Sequence, residues 1–188
     1  VLISDYYSNN VLFYENLNIN VELAPTASDN AVTMQEDGIY FFNPLDFNFA
    51  DGNAGDALSA VQITGLPSKG VLKLGSTVVN GDQIIQVNEI PNLIFDSDPN
   101  ENGAAYASFQ FKVSDGNLWS QDAYTMTINV TAVNDAPVSQ NAEVTGAKNI
   151  PFFFEAADFP YTDVEGDAFS GINILTLPAK GNLNLGAS

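Results

Sequence analysis

Residues 107–130 read ASFQFKVSDGNLWSQDAYTMTINV. In the first half Ala107, Phe109, Phe111 and Val113 alternate with Ser108, Gln110 and Lys112. In the second half Tyr124, Met126, Ile128 and Val130 alternate with Thr125, Thr127 and Asn129. Side chains leave a strand on alternate faces, so each run has one apolar and one polar face. Asp115-Gly116 between them signals a turn. The stretch predicts two antiparallel strands with one face on a core.

The surrounding sequence has the same character. Strands are expected near Val32–Met34, Ile39–Phe42, Ala60–Thr64, Val71–Leu74 and Leu93–Phe95. Pro67–Gly70 and Asn80-Gly81 supply turn signals. No segment has helical periodicity. About seven short strands in about 110 residues predict an all-β fold, a Greek-key sandwich of immunoglobulin-like type. Phe109, Phe111, Tyr124, Met126 and Ile128 then belong to the core. Trp119, in the turn, is open to two readings: a packed side chain, or a ring that stacks on a sugar.

The chain also repeats itself. The stretch that opens at Ala24-Pro25 returns at Ala136-Pro137, and Leu66-Pro67 returns at Leu177-Pro178. One residue is lost between Asp51–Asp56 and Asp163–Asp167. Near the start, Ile3–Asp5 matches Val113–Asp115 and Ile19–Val21 matches Ile128–Val130. The expected organisation is tandem: residues 1–23 as the last hairpin of a preceding module, 24–135 as a complete module, and 136–188 as the first half of another. The chain reads as a window of a longer protein. In the half-module Phe152, Phe154, Phe159 and Ile174 lack an opposing sheet. More of the same polypeptide, or the Val1–Val21 hairpin of a neighbouring chain, could supply it.

Charge narrows the function. Twenty-three acidic residues stand against 5 basic ones, for a net charge of −18. Such a chain repels nucleic acid and anionic lipid. No apolar run reaches the roughly 18 residues of a membrane span, so direct membrane insertion is not expected. With no Cys and no His, disulfides, thiol chemistry and the usual transition-metal sites drop out. Asp, Glu, Asn and backbone carbonyls remain, and these are calcium ligands.

The acids cluster in loops beside Gly and Asn. Glu36-Asp37-Gly38 follows the first strand. Asp46, Asp51, Asn53 and Asp56 precede the Ala60 strand, and Asp158, Asp163, Glu165 and Asp167 repeat them. Asp96–Gly103 forms a third cluster, and Asn134-Asp135 a fourth. Asp98, Asn100, Asn102 and Gly103 match the start of an EF-hand loop. Its twelfth position is Phe109, a core residue, so an EF-hand is excluded. A short calcium loop and a polar turn both fit what is left. Calcium takes six to eight oxygens, so ligands must converge from several loops. No catalytic set is visible. Carboxylates that recur with the module suit structure better than acid–base chemistry, and no enzyme activity is expected.

Val133-Asn-Asp-Ala-Pro137, Val113-Ser-Asp-Gly116, the Asp163-x-Glu165-Gly-Asp167 loop and Glu36 together resemble the cadherin-like repeats of large bacterial surface adhesins. That resemblance implies calcium (Ca2+) at module junctions. It places Glu36, Asn134, Asp135, Asp163 and Asp167 at the later junction, with Asp96 or Asp98 contributing. Asp51, Asp56 and Asp115 face the preceding junction. There Val21–Pro25 lacks Asn-Asp, so a shared site is not expected. In the last module Lys148-Asn149 replaces Glu36-Asp37, and the lysine opposes calcium. The resemblance implies a calcium-stiffened extender in a secreted or surface-attached bacterial adhesin, partnered by neighbouring modules of its own chain. Two other readings stand beside it. One is self-association with identical chains, as a filament subunit or by homotypic contact. The other is polysaccharide binding through Trp119, Tyr6, Tyr7, Phe13 and Tyr14.

Overall fold

A computed structural model describes residues 21–186 together with the backbone of two short strands, β1 (Ile3–Ser4) and β2 (Val11–Leu12), which pair antiparallel. The other residues of 1–20, among them Tyr6, Tyr7, Phe13 and Tyr14, lie outside the described residues. The chain divides into two compact units, Val1–Ala132 and Val133–Ser188.

The first unit is a two-sheet sandwich. Its strands are β3 (Asn30–Gln35), β4 (Ile39–Phe41), β5 (Ala60–Gly65), β6 (Val71–Leu74), β7 (Thr77–Val78), β8 (Gln83–Gln86), β9 (Leu93–Asp96), β10 (Gly103–Ser114) and β11 (Tyr124–Thr131). One sheet runs β3-β11-β10-β5-β8 and the other β4-β9-β6-β7. Short 3-10 turns at Pro44–Phe47 and Ile90–Asn92 join them. The second unit holds β12 (Val138–Ser139) and β13 (Tyr161–Thr162), paired antiparallel.

The hairpin read from sequence is β10 and β11, with Phe109 opposite Met126 and Phe111 opposite Tyr124. Phe109, Phe111, Val113, Met126, Ile128 and Val130 are buried, and Ser108 and Gln110 are exposed. Phe109 meets Phe42 edge-on at 5.5 Å between ring centroids, and Phe111 meets Phe47 at 5.0 Å. These contacts join the two sheets, and T-shaped pairs add to the burial itself. β10 carries a bulge between Gly103 and Ala107. Ala105 sits there at φ 49° and its N–H donates to Asn129 Oδ1 at 2.8 Å. An inserted residue re-aims the strand, which is why Tyr106 and Ala107 are both buried.

The antiparallel pairing expected of β10 and β11 is present, and beside it β3 runs parallel to β11, from Asn30 opposite Met126 to Gln35 opposite Thr131, a pairing the sequence reading did not address. The first strand of the sandwich crosses back to lie beside the last, and only a long connection permits a parallel pair.

Candidate metal centre

Three loops of the first unit converge at one end of β5 and β10. The first is the stretch before Ala24-Pro25. The second is the 51–56 loop, and the third is the turn between β10 and β11. Asn53 ties the first two together. Its Oδ1 accepts from Leu23 N–H at 2.8 Å, and its Nδ2 donates to Val21 carbonyl at 2.8 Å. Asn117 ties the third to the first, donating from Nδ2 to Glu22 Oε1 at 3.2 Å.

This stitching places carboxylate oxygens of Glu22, Asp56 and Asp115 all within 4.8 Å of one another. The third loop depends on Asp115 itself. Its Oδ1 accepts from Asn117 N–H at 2.6 Å and from Leu118 N–H at 2.7 Å, and Gly116 takes φ 104°, which favours glycine. The other oxygen, Oδ2, is buried without a hydrogen-bond partner. Asp51 behaves alike: Oδ1 accepts from Asn53 N–H at 2.6 Å, and Oδ2 is buried and unpartnered. A buried acceptor without a donor costs roughly 1–3 kcal/mol. Like charges this close repel one another. Among the described residues the salt bridges are Lys69–Glu101 and Lys73–Asp96, and neither lysine serves this cluster. A hard cation with oxygen ligands answers both costs.

Asp51, Asp56 and Asp115 are thus on loops of one end, with Asp56 and Asp115 in direct proximity. Glu22 is the residue that the sequence reading missed. Counted back from Ala-Pro, Glu22 occupies the position of Asn134.

The second unit repeats this end. Asp135 N–H donates to Glu165 Oε2 at 3.2 Å, as Leu23 does to Asn53. Asp167 N–H donates to Asp163 Oδ1 at 2.9 Å, and Asp135 Oδ2 is buried and unpartnered. Asn134, Asp135, Asp163 and Asp167 all line one cavity. Glu36 belongs to the first unit, where it is buried and accepts from Asn102 Nδ2 at 3.2 Å.

The remaining acids have protein partners. Asp96 pairs with Lys73 Nζ at 2.7 Å. Asp98 Oδ2 accepts from Gly70 N–H and from the Tyr106 hydroxyl, each at 3.1 Å. Asn100 N–H donates to Asp37. The 96–103 loop is therefore a hydrogen-bonded polar turn ahead of β10. Asp46 and its repeat Asp158 close capping boxes with Asn43 and Glu155. Trp119 is half-buried, and its backbone bridges Ser114.

Burial and the neighbouring Asp98 and Glu101 push the Tyr106 hydroxyl up to about 12. The folded state therefore holds this proton more tightly than the unfolded chain, whose tyrosine titrates near 10. The stabilisation is complete below pH 10 and disappears as the pH rises towards about 12. Chemical denaturation across that window should show falling stability in the wild type, and a shallower fall in Tyr106→Phe. Identical slopes would refute the assignment.

Residues 22–131, more than half of the chain, match the family described as bacterial Ig domain. No curated protein and no solved structure matches the chain.

Proposed function

The chain belongs to the bacterial Ig domain family, and we propose that it is a structural repeat of a surface protein, a calcium-stiffened, non-catalytic extender of a bacterial adhesin. In this reading the chain is secreted or held at the cell surface. No helix among the described residues is long and apolar enough to cross a membrane.

One observation carries the calcium reading. Glu22, Asp56 and Asp115 crowd three carboxylates within 4.8 Å, while Asp115 and Asp51 each bury an oxygen without a partner. Calcium accepts such oxygens at about 2.3–2.6 Å and tolerates irregular geometry. An ion at this end would fasten the segment before Ala24 to the two loops beside it. Asn134, Asp135, Asp163 and Asp167 form the corresponding ligand set of the second unit. Asp96 and Asp98 stay outside both sets, since each already has a protein partner. The cadherin-like reading rests on this repeated ligand set.

Calorimetric titration of calcium into the whole chain tests the reading. Binding is expected with a dissociation constant on the order of 10⁻⁴–10⁻³ M, the range of extracellular modules. Asp115→Asn should weaken it at least tenfold for one class of site. Absence of binding heat in the wild type, or an unchanged isotherm in Asp115→Asn, would overturn the proposal.

A further inference from the structure

The outer face of the β4-β9-β6-β7 sheet is unlike the rest of this acidic chain. Tyr40, Phe95 and Leu72 turn into the core, so their neighbours Ile39, Phe41, Ile94, Asp96, Val71 and Lys73 turn outward. Strand pairing sets them in rows. Phe41, Ile94, Lys73 and Val78 lie side by side across the four strands, and Ile39, Asp96 and Val71 form the next row. Phe41 is 63% exposed, Val78 54% and Ile39 49%. Lys73 and Asp96 are the only charged residues on these strands, and their side chains meet at 2.7 Å. The face is therefore apolar and without net charge, on a chain of net charge −18.

The outward phenylalanine recurs in the repeat. Tyr40 and Phe42 pack edge-on at 5.0 Å and 71°, and Phe152 and Phe154 do the same at 5.1 Å and 73°. Between the latter two, Phe153 takes the place of Phe41. Core packing does not require a phenylalanine on the solvent side of a strand, and contiguous exposed apolar surface marks a contact site.

We infer that this face binds the same face of a second copy of the chain about a two-fold axis. Charge selects the occupant. The net charge drives copies apart, whereas a face with one lysine and one aspartate is its own complement. A two-fold axis in the plane of the face, midway between the two side chains, sets Lys73 of each copy against Asp96 of the other. Asn184 stands in the repeat where the first unit has Lys73, so a first unit finds its charge complement in another first unit. A glycan fits less well. Ile39, Ile94 and Val78, which share the face with Phe41, offer sugar hydroxyls no hydrogen bonds. Size sets the strength. Strands of two to four residues, about 4.8 Å apart, make a face well below the roughly 800 Å² per partner of a standard interface, so the contact is weak and reversible. The inference goes beyond the calcium reading and does not depend on it.

Sedimentation of the whole chain tests this, in chelator to keep calcium out and at about 0.15 M salt to screen long-range repulsion. The average mass should climb from monomer towards dimer as concentration rises from about 10 µM to about 1 mM, the range of a weak interface. Phe41→Ser should weaken association roughly tenfold or more. Lys73→Asp and Asp96→Lys should each stay monomeric alone, since each sets like charges face to face. An equimolar mixture of the two should associate again. A partly exposed ion pair contributes little to the fold, so both variants remain folded. A wild-type chain that stays monomeric, a charge variant that still associates alone, or a mixture that fails to recover would overturn the inference. Co-sedimentation of a monomeric wild-type chain with neutral dextran, lost in Phe41→Ser, would overturn it in favour of a glycan.

Discussion

Phe111→Ala lowers the unfolding free energy of the first unit by about 3–5 kcal/mol, the cost of deleting a buried phenylalanine and leaving a cavity. Phe111 is fully buried at the centre of β10 and touches Phe47, Phe109 and Tyr124. Phe47 comes from the 3-10 turn that links the two sheets, so the lost ring removes packing that no neighbour on the same sheet can restore. Ser108→Ala, on the exposed face of the same strand, stays within about 0.5 kcal/mol of wild type. Urea unfolding followed by Trp119 fluorescence measures both. A loss below about 1 kcal/mol for Phe111→Ala would mean that the sheets are not held together here.

Saturating calcium is expected to add stability to the first unit, about 2.7 kcal/mol at one hundred times the dissociation constant for a single site. The sign follows from charge. Glu22, Asp56 and Asp115 repel one another in the apo chain, and the unfolded chain relieves that repulsion by separating them. Calcium reverses the preference because the three oxygens converge only in the folded state. Asp115→Asn should cut the calcium-dependent gain to about half or less, as a site at least tenfold weaker requires. It should leave the apo protein no less stable than wild type by more than about 1 kcal/mol, because asparagine can still accept from Asn117 and Leu118 through one oxygen. Thermal unfolding with and without chelator decides the point. An unchanged melting temperature would remove calcium from the proposal and leave the sandwich without its ion.

The alternation in β10 and β11 made the sandwich legible, since every second residue from Ala107 to Val113 and from Met126 to Val130 is apolar and buried. β8 escaped notice for the complementary reason. Its Gln83-Ile84-Ile85-Gln86 places two isoleucines side by side, yet Ile85 is buried while Ile84 is exposed. Parallel pairing of β3 with β11 had no local signal, because it joins residues nearly a whole module apart. The acidic clusters were legible as clusters but not as partners. Asp96 and Asp98 meet Lys73 and Tyr106, contacts set by tertiary packing of β6, β9 and β10. Glu22 was hidden by register: counting from the preceding valine skips it, whereas counting back from Ala-Pro sets it opposite Asn134. The capping boxes of Asp46 and Asp158 could have been found from the recurring four-residue spacing that ends in aspartate.

The parallel ladder of β3 and β11 has a mechanical meaning. These are the first and last strands of the sandwich, and they point the same way. The chain therefore enters beside one end of the ladder and leaves beside the other. Tension between entry and exit slides one strand along its neighbour, so the bonds from Asn30–Met126 to Gln35–Thr131 bear the load together. An antiparallel closing pair with both tethers at one end would instead part bond by bond, like a zip. The topology that the alternation could not foretell is the one that suits a strut under pull.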